Sequence, residues 1–225
     1  KRYEKAAQSM TQKPLEEEEI QLFFSDIEPL AASKVLLRLE KESLSIGERV
    51  LAQELQLTVW GQDKIGIIGP NGVGKSTLLA KLQQLLSGKS EISLGFMPQN
   101  YQETLQLDLS PVEFLSQTGH KEELQKIQSF LASLNFSYPE MHHQIRSLSG
   151  GQQGKLLLLN LVLRKPNFLL LDEPTRNFSP TSQPEIRKLF ANYPGGLVTV
   201  SHDRRFLKEV CRSIYRLREN GLEVI

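Results

Sequence analysis

Lys64-Ile65-Gly66-Ile67-Ile68-Gly69-Pro70-Asn71-Gly72-Val73-Gly74-Lys75-Ser76-Thr77 is the stretch that decides the fold. Lys64–Ile68 is a short β-branched run of the kind that forms a strand buried on both faces. Gly69, Gly74, Lys75 and Ser76 follow it in the pattern G-x-x-x-x-G-K-[ST]. Glycines at these places let the backbone curl until several N–H groups point inward, and the next helix brings its positive end to the same spot. From Ser76 to Leu86, Leu78, Leu79, Leu82, Leu85 and Leu86 fall at helical spacing, and Ser87-Gly88 ends the run. Between a strand and a helix, this pattern predicts a cradle for nucleotide phosphates lined by Gly69 to Thr77. Lys75 would meet the terminal phosphates and the Ser76 hydroxyl would be a Mg²⁺ ligand.

Outward from the loop, Phe168-Leu169-Leu170-Leu171 is a second buried strand, and it ends in Asp172-Glu173. Ligands of open parallel sheets sit at the carboxyl ends of the strands. Asp172 can therefore hold Mg²⁺ through its water shell. Glu173 points differently and can polarise a water against a γ-phosphate. Leu197–Val200 is a third buried strand, and Ser213–Leu217 and Leu222–Ile225 are short final ones. Val35–Leu39 also looks like a strand, and alternation of Leu55, Leu57 and Val59 predicts a half-buried antiparallel strand there. Helices are expected at Val112–Ser116, Glu122–Leu134, Gln183–Asn192 and Arg204–Val210. A further one is capped by Ser149 and runs to Lys165, where Pro166 stops it. Strands alternating with helices predict an α/β fold with a mainly parallel sheet. Residues 100–147 are richer in Gln, Ser, Glu and His and look like a small helical insertion.

Hydrophobic residues make up 39% of the 225, enough for a real core, and the net charge of +1 offers no global field for nucleic acid or membrane. The single cysteine, Cys211, excludes an internal disulfide framework, fits a reducing cytosol and is most simply a small buried residue. No apolar run reaches the roughly 18 residues that span a bilayer. The polar segment Lys1 to Glu19 contains Pro14 and the run Glu16–Glu19, and suits a solvated helical linker. Ile20, Leu22, Phe23 and Phe24 are expected to clip it onto the domain. Because the chain starts at Lys1-Arg2-Tyr3, it is expected to be a piece of a longer polypeptide. His120, His142 and His143 have no partners at metal-ligand spacing and are given no role.

Leu148-Ser149-Gly150-Gly151-Gln152 matches the signature motif of ATP-binding cassette (ABC) ATPases. Gln99, in Met97-Pro98-Gln99, stands where that family has its Q-loop glutamine, and His202, in Ser201-His202-Asp203, where it has its switch histidine. Together with the phosphate loop and the carboxylate pair, these elements keep the family's order from Ile46 to His202, so the chain resembles an ABC ATPase. The resemblance implies an ABC-type P-loop fold with an antiparallel β edge subdomain and a helical subdomain at about residues 100–165. Residues 34–225 would be the nucleotide-binding domain and residues 1–33 the tail of an interdomain linker. It also implies ATP and Mg²⁺ as cofactors. Gln99 would touch Mg²⁺ or the attacking water, and Glu173 and His202 would act on the γ-phosphate. Ser149, Gly150, Gly151 and Gln152 would face the γ-phosphate held by a second cassette. Two positions depart from the family: Ile46 replaces the usual adenine-stacking aromatic, so GTP is also expected to bind, and Ser179 replaces the usual D-loop aspartate.

The short insertion between Gln99 and Ser149, the charged start and the runs Gln152–Leu159 and Val200–Leu207 are similar to the C-terminal cassette of ABC-F proteins. That subfamily consists of soluble, cytoplasmic two-cassette ATPases that act on the ribosome. Arg176-Asn177-Phe178-Ser179 resembles departures found in its antibiotic-resistance, ribosome-protection group. Two other readings are the ATPase subunit of a membrane transporter and a degenerate cassette serving as a structural clamp. On the ABC-F reading the partners are a second cassette and the ribosome, and the chain alone would have to homodimerise. Arg204, Arg205, Lys208, Arg212, Arg216 and Arg218 form a basic cluster that can meet RNA phosphates or simply be solvated.

Overall fold

The three buried apolar runs lie side by side in one sheet of the computed structural model, which describes residues 22–225. In chain order the elements begin with β1 (Val35–Ile46), β2 (Arg49–Trp60), β3 (Lys64–Ile68), α1 (Lys75–Leu86) and β4 (Leu94–Met97). The helical insertion holds α2 (Pro111–Leu115), α3 (Lys121–Ser133) and α4 (Tyr138–His142), and leads into α5 (Gly150–Arg164). The chain continues through β5 (Phe168–Asp172), α6 (Gln183–Ala191), β6 (Gly196–Val200), α7 (Arg204–Val210), β7 (Ser213–Arg218) and β8 (Gly221–Val224). The sheet order is β4-β5-β6-β3-β7-β8, parallel except for β8. β1 and β2 form a separate antiparallel hairpin. The expected α/β class, mainly parallel sheet and antiparallel edge are all present.

The sheet divides the core. Phe168 and Leu170 of β5, with Val198, Val200, Ile65 and Ile67, face α1 and the hairpin. Leu169 and Leu171, with Leu197 and Met97, face α5, α6, α7 and the helical insertion. Both faces of β5 are thus apolar and all five of its residues are buried, which explains the unbroken Phe-Leu-Leu-Leu run.

Register places the strand exits in one row. Ile67 pairs with Val200 and Val200 with Asp172. Met97 pairs with Leu171, one step earlier. The segments that leave these strands are the phosphate loop, Ser201-His202, Glu173 and Pro98-Gln99, so four sequence-distant motifs emerge along one edge.

Several expectations change. β1 and β2 are each 12 residues long, far beyond Val35–Leu39 and Leu55–Val59. Their extra residues include Glu40, Lys41, Glu42 and Glu54. Cross-strand pairing holds them, with irregularities where Lys41 and Glu54 take positive φ. β4 was not expected, because four residues with Gly95 among them carry little pattern; its pairing with β5 makes it a strand. α5 ends at Arg164 with Lys165 left-handed (φ 51°), one residue ahead of Pro166. The two final strands shift by a residue. At the start of the described chain Leu22 is buried and the Phe24 ring lies 4.8 Å from that of Tyr193, while Phe23 is 71% exposed. Ile20 and the Lys1–Glu19 linker reading lie outside the described residues.

Leu170 is fully buried between β4 and β6 on the α1 face. Leu170→Ala is expected to lower the unfolding free energy by about 2–5 kcal/mol, the usual range for a buried leucine truncated in a packed core. Urea titration followed by circular dichroism checks it.

Candidate active site

A cleft of about 610 Å³ lies at the row of strand exits, lined by Lys75, Ser76, Gln99, Asp172, Glu173 and His202 among others. From the phosphate loop, Asn71, Gly72, Gly74 and Thr77 also border it. Gly69, Pro70 and Val73 do not border this cleft. The Gly69 and Pro70 carbonyl oxygens instead accept from the Lys75 ammonium at 2.9 and 2.8 Å. Gly74 caps α1 with φ 104°, and a Cβ there would come within 2.9 Å of Leu51 and 3.0 Å of Leu44. Only glycine satisfies both the backbone angle and the approach of the hairpin.

Lys75 is buried, and its ammonium pKa is lowered, first by burial and against the pull of Glu173 and Asp172. Burial likewise raises the carboxyl pKa of Asp172, opposed by a hydrogen bond from Ser76 and by the charges of Lys75 and Arg176. Ser76 and Asp172 border the cleft together. With the Gln99 amide they offer hard oxygen donors, which suit Mg²⁺ sharing its shell with water and phosphate. Among the described residues no group of three or more His, Cys, Asp and Glu could hold a metal unaided. Ser76, Gln99 and Asp172 would suit Mg²⁺, whereas a caged transition metal would lack its ligands here.

Glu173 sits where the strand geometry breaks. Its φ is 52°, a left-handed value uncommon for a glutamate. Its N–H still donates to the Val200 carbonyl at 2.9 Å, continuing the ladder by one step. The reversal lets both carboxylates, neighbours in sequence, border one cleft instead of pointing to opposite faces. Burial raises the Glu173 pKa, while the His202 N–H, at 3.2 Å, and the His202 ring offset part of the rise. His202 Nε2 lies 3.6 Å from Glu173 Oε1, and its side chain is 56% exposed. The turn is latched to the next loop by the Thr175 hydroxyl, which donates to Asp203 at 3.3 Å. Asp203 in turn caps α7 by accepting from Arg205 and Phe206.

Ser149, Gly150, Gly151 and Gln152 are not in this cleft. Ser149 caps α5 in a reciprocal capping box with Gln152, and Ser149 and Gly150 are exposed. Gln152 also donates to Glu140 of α4 at 2.7 Å, which ties the motif to the helical insertion. Ile46 does border the cleft and is 59% exposed at the end of the β1–β2 hairpin. Leu51, Val200 and Arg176 border it as well and were not expected to. Leu51 depends on the unforeseen length of β2, and Arg176 on the left-handed turn at Glu173. Neither has a local signal. Cys211, outside the cleft, is only partly buried rather than a core residue, and burial pushes its thiol up to about 12, with Lys64 opposing.

The family model described as ABC transporter matches residues 52–176, more than half of the 225-residue chain. The chain belongs to this family of ATP-binding cassettes. ABC cassettes are ATPases, and this cassette is 32% identical over 207 residues to the probable ATP-binding protein YheS of Escherichia coli, an overlap of 89% of this chain and 32% of YheS. It is 31% identical to the putative ATP-binding protein YdiF of Bacillus subtilis, covering 94% of this chain and 34% of that one. To ABC transporter F family member 2 of Arabidopsis thaliana it is 26% identical, covering 96% and 33%. The chain thus spans about a third of the length of these curated relatives. Among solved structures, a dimeric post-hydrolysis state of the ATP-binding cassette MJ0796 bound to ADP and Pi superposes with a TM-score of 0.68 at 19% identity, covering 83% of this chain and 96% of that one. That likeness establishes the ABC-cassette fold. No helix among the described residues is long and apolar enough to cross a membrane.

The raised Glu173 pKa has a consequence for stability. An acid whose pKa is higher in the folded chain than in the unfolded one costs stability as pH rises through the interval between the two values. The loss is complete above the folded value and absent below the unfolded one. Glu173→Gln removes it. In calorimetry without nucleotide, the variant is expected to melt above the wild type at about pH 8, with the difference shrinking toward about pH 4.

Proposed function

We propose that this chain is the C-terminal cassette of a soluble, cytoplasmic two-cassette ABC-F protein, and that it supplies two halves of two different ATP sites. The observation that carries the reading is a separation: the exposed Ser149-Gly150 terminus of α5 lies outside the cleft that holds Lys75, Asp172 and Glu173. A helix N-terminus with free N–H groups favours an anion, and here it can serve only a nucleotide brought by another cassette. The ABC-F assignment draws support from Arabidopsis relatives named as F family members and from the chain's spanning about a third of their length. The solved neighbour is itself a dimer bound to ADP and Pi.

On this reading Gly69 to Thr77 wrap the ATP phosphates. Lys75 exchanges its two carbonyl partners for phosphate oxygens, a stronger charge-assisted contact. Ser76, Asp172 and Gln99 hold Mg²⁺, which when bound neutralises charge on the terminal phosphates. Glu173 takes a proton from a water as its oxygen attacks the γ-phosphorus and the bond to the bridging oxygen breaks, giving ADP and phosphate. His202, held beside Glu173, hydrogen-bonds the γ-phosphate. Ile46 and Leu51 give the base an aliphatic wall, so GTP binds as well. Closure over two nucleotides holds the linker on the ribosome, in a translation-factor or antibiotic-resistance role, and hydrolysis releases it.

In the full-length protein, Glu173→Gln is expected to retain ATP binding, to lose at least ~100-fold in turnover as the general base is removed, and to co-sediment with ribosomes in ATP. Recovery of that variant free of ribosomes would overturn the ribosomal part of the reading. The isolated chain should bind ATP yet turn it over slowly, with a rate that rises with protein concentration. Lys75→Ala should abolish binding measured by calorimetry.

A further inference from the structure

The turn after the paired carboxylates carries a cation that the family motifs leave without a role. Arg176 borders the same cleft as Lys75, Asp172, Glu173 and His202. Its N–H donates to the Glu173 carbonyl at 3.1 Å, which closes a tight turn. Both flanks are fixed. Thr175 is buried and bonded to Asp203, and Phe178 is buried so close to α5 that a Cβ on Gly154 would meet its ring at 2.8 Å. The exposed Arg176 is therefore delivered to the cleft by anchored neighbours. Other arginines near the sheet have acidic partners, Arg187 with Glu209 and Arg218 with Glu223. Arg176 makes no ion pair among the described residues, yet its charge reaches Asp172.

We propose that Arg176 is a specificity-determining residue that binds the terminal phosphate of a nucleoside triphosphate held by its own chain, and so sets the preference for triphosphate over diphosphate. The inference rests on the ATP-cassette reading above. Lys75 rests against the carbonyls of its own glycine loop. Asp172 and Glu173, at the end of β5, border the same cleft and would repel an incoming phosphate. Arg176, on the turn that follows them, adds a second positive charge to that cleft. A guanidinium stays charged at any working pH, and its planar fork matches phosphate oxygens. With the base resting on Ile46 and Leu51, phosphate contacts carry most of the recognition. A diphosphate would fill the loop but leave Arg176 without its contact.

The test is titration of ATP and ADP, each with Mg²⁺, into wild type, Arg176→Gln and Arg176→Lys. The chain is kept monomeric, as checked by light scattering, and its fold is compared by circular dichroism. Arg176→Gln is expected to weaken ATP by ~10-fold or more, the scale of losing one charged hydrogen-bond donor, with ADP unchanged within about twofold. Arg176→Lys should recover part of the ATP loss. An equal loss for both nucleotides, an unchanged ATP affinity, or a loss seen only once the chain dimerises would each overturn the assignment, the last by giving Arg176 to the partner's nucleotide. Failure of the wild type to bind either nucleotide would sink the ATP-cassette reading as well.

Discussion

The registered pairing of three parallel strands near their carboxyl ends is the constraint on which the rest of the molecule depends. Ile67, Val200 and Asp172 occupy one row of the ladder. β5 and β6 end at that row and β3 one residue later, so the segments that follow emerge along one edge of the sheet, where backbone groups can serve a ligand. The row holds only because both faces of β5 and β6 are packed, one by α1 and the hairpin, the other by α5 to α7. A slip of one residue would exchange the side chains packed into the two cores and move the motifs out of line with one another.

Charges are concentrated at that edge against the preference for solvation. Asp172 and Lys75 are buried and Glu173 nearly so, and burial is the first cause of the shift in all three pKa values. Their mutual attraction only partly offsets the desolvation. The left-handed backbone at Glu173 adds strain at the same place. Strain and desolvated charge kept together by a well-packed scaffold are the mark of a site shaped for chemistry rather than for stability.

The signature helix obeys a different logic. Its capping box uses only the Ser149 and Gln152 N–H groups, not those of Gly150 and Gly151, and Gln152 binds it to Glu140. Exposed Ser149 and Gly150 then form a surface with no counterpart in the cleft of the same chain. Phe178 joins the two regions, since it follows the carboxylate turn and packs on Gly154 of α5. Movement at the carboxylate turn therefore has a short mechanical path to the surface proposed to meet a second cassette.

Local chemistry was legible in the sequence. The phosphate loop, the Asp172-Glu173 pair and the Ser149 cap each depend on residues within a few positions of one another, and the apolar runs of β3, β5 and β6 are buried on both faces whatever surrounds them. Features created by pairing partners were not legible. β4 is a strand because β5 lies beside it, and the polar half of β1 is a strand because β2 lies beside it. Leu51 and Arg176 reach the cleft through the hairpin's length and the reversal at Glu173, neither of which leaves a periodic trace. The sequence by itself determined the glycine turn into α1 and the Ser149 cap of α5, because these depend on short-range backbone geometry and residue type. The tertiary structure alone decided that Arg176 joins Lys75 in one cleft and that Ser149 stays outside it, because strand register and helix packing set distances between residues that the chain places far apart.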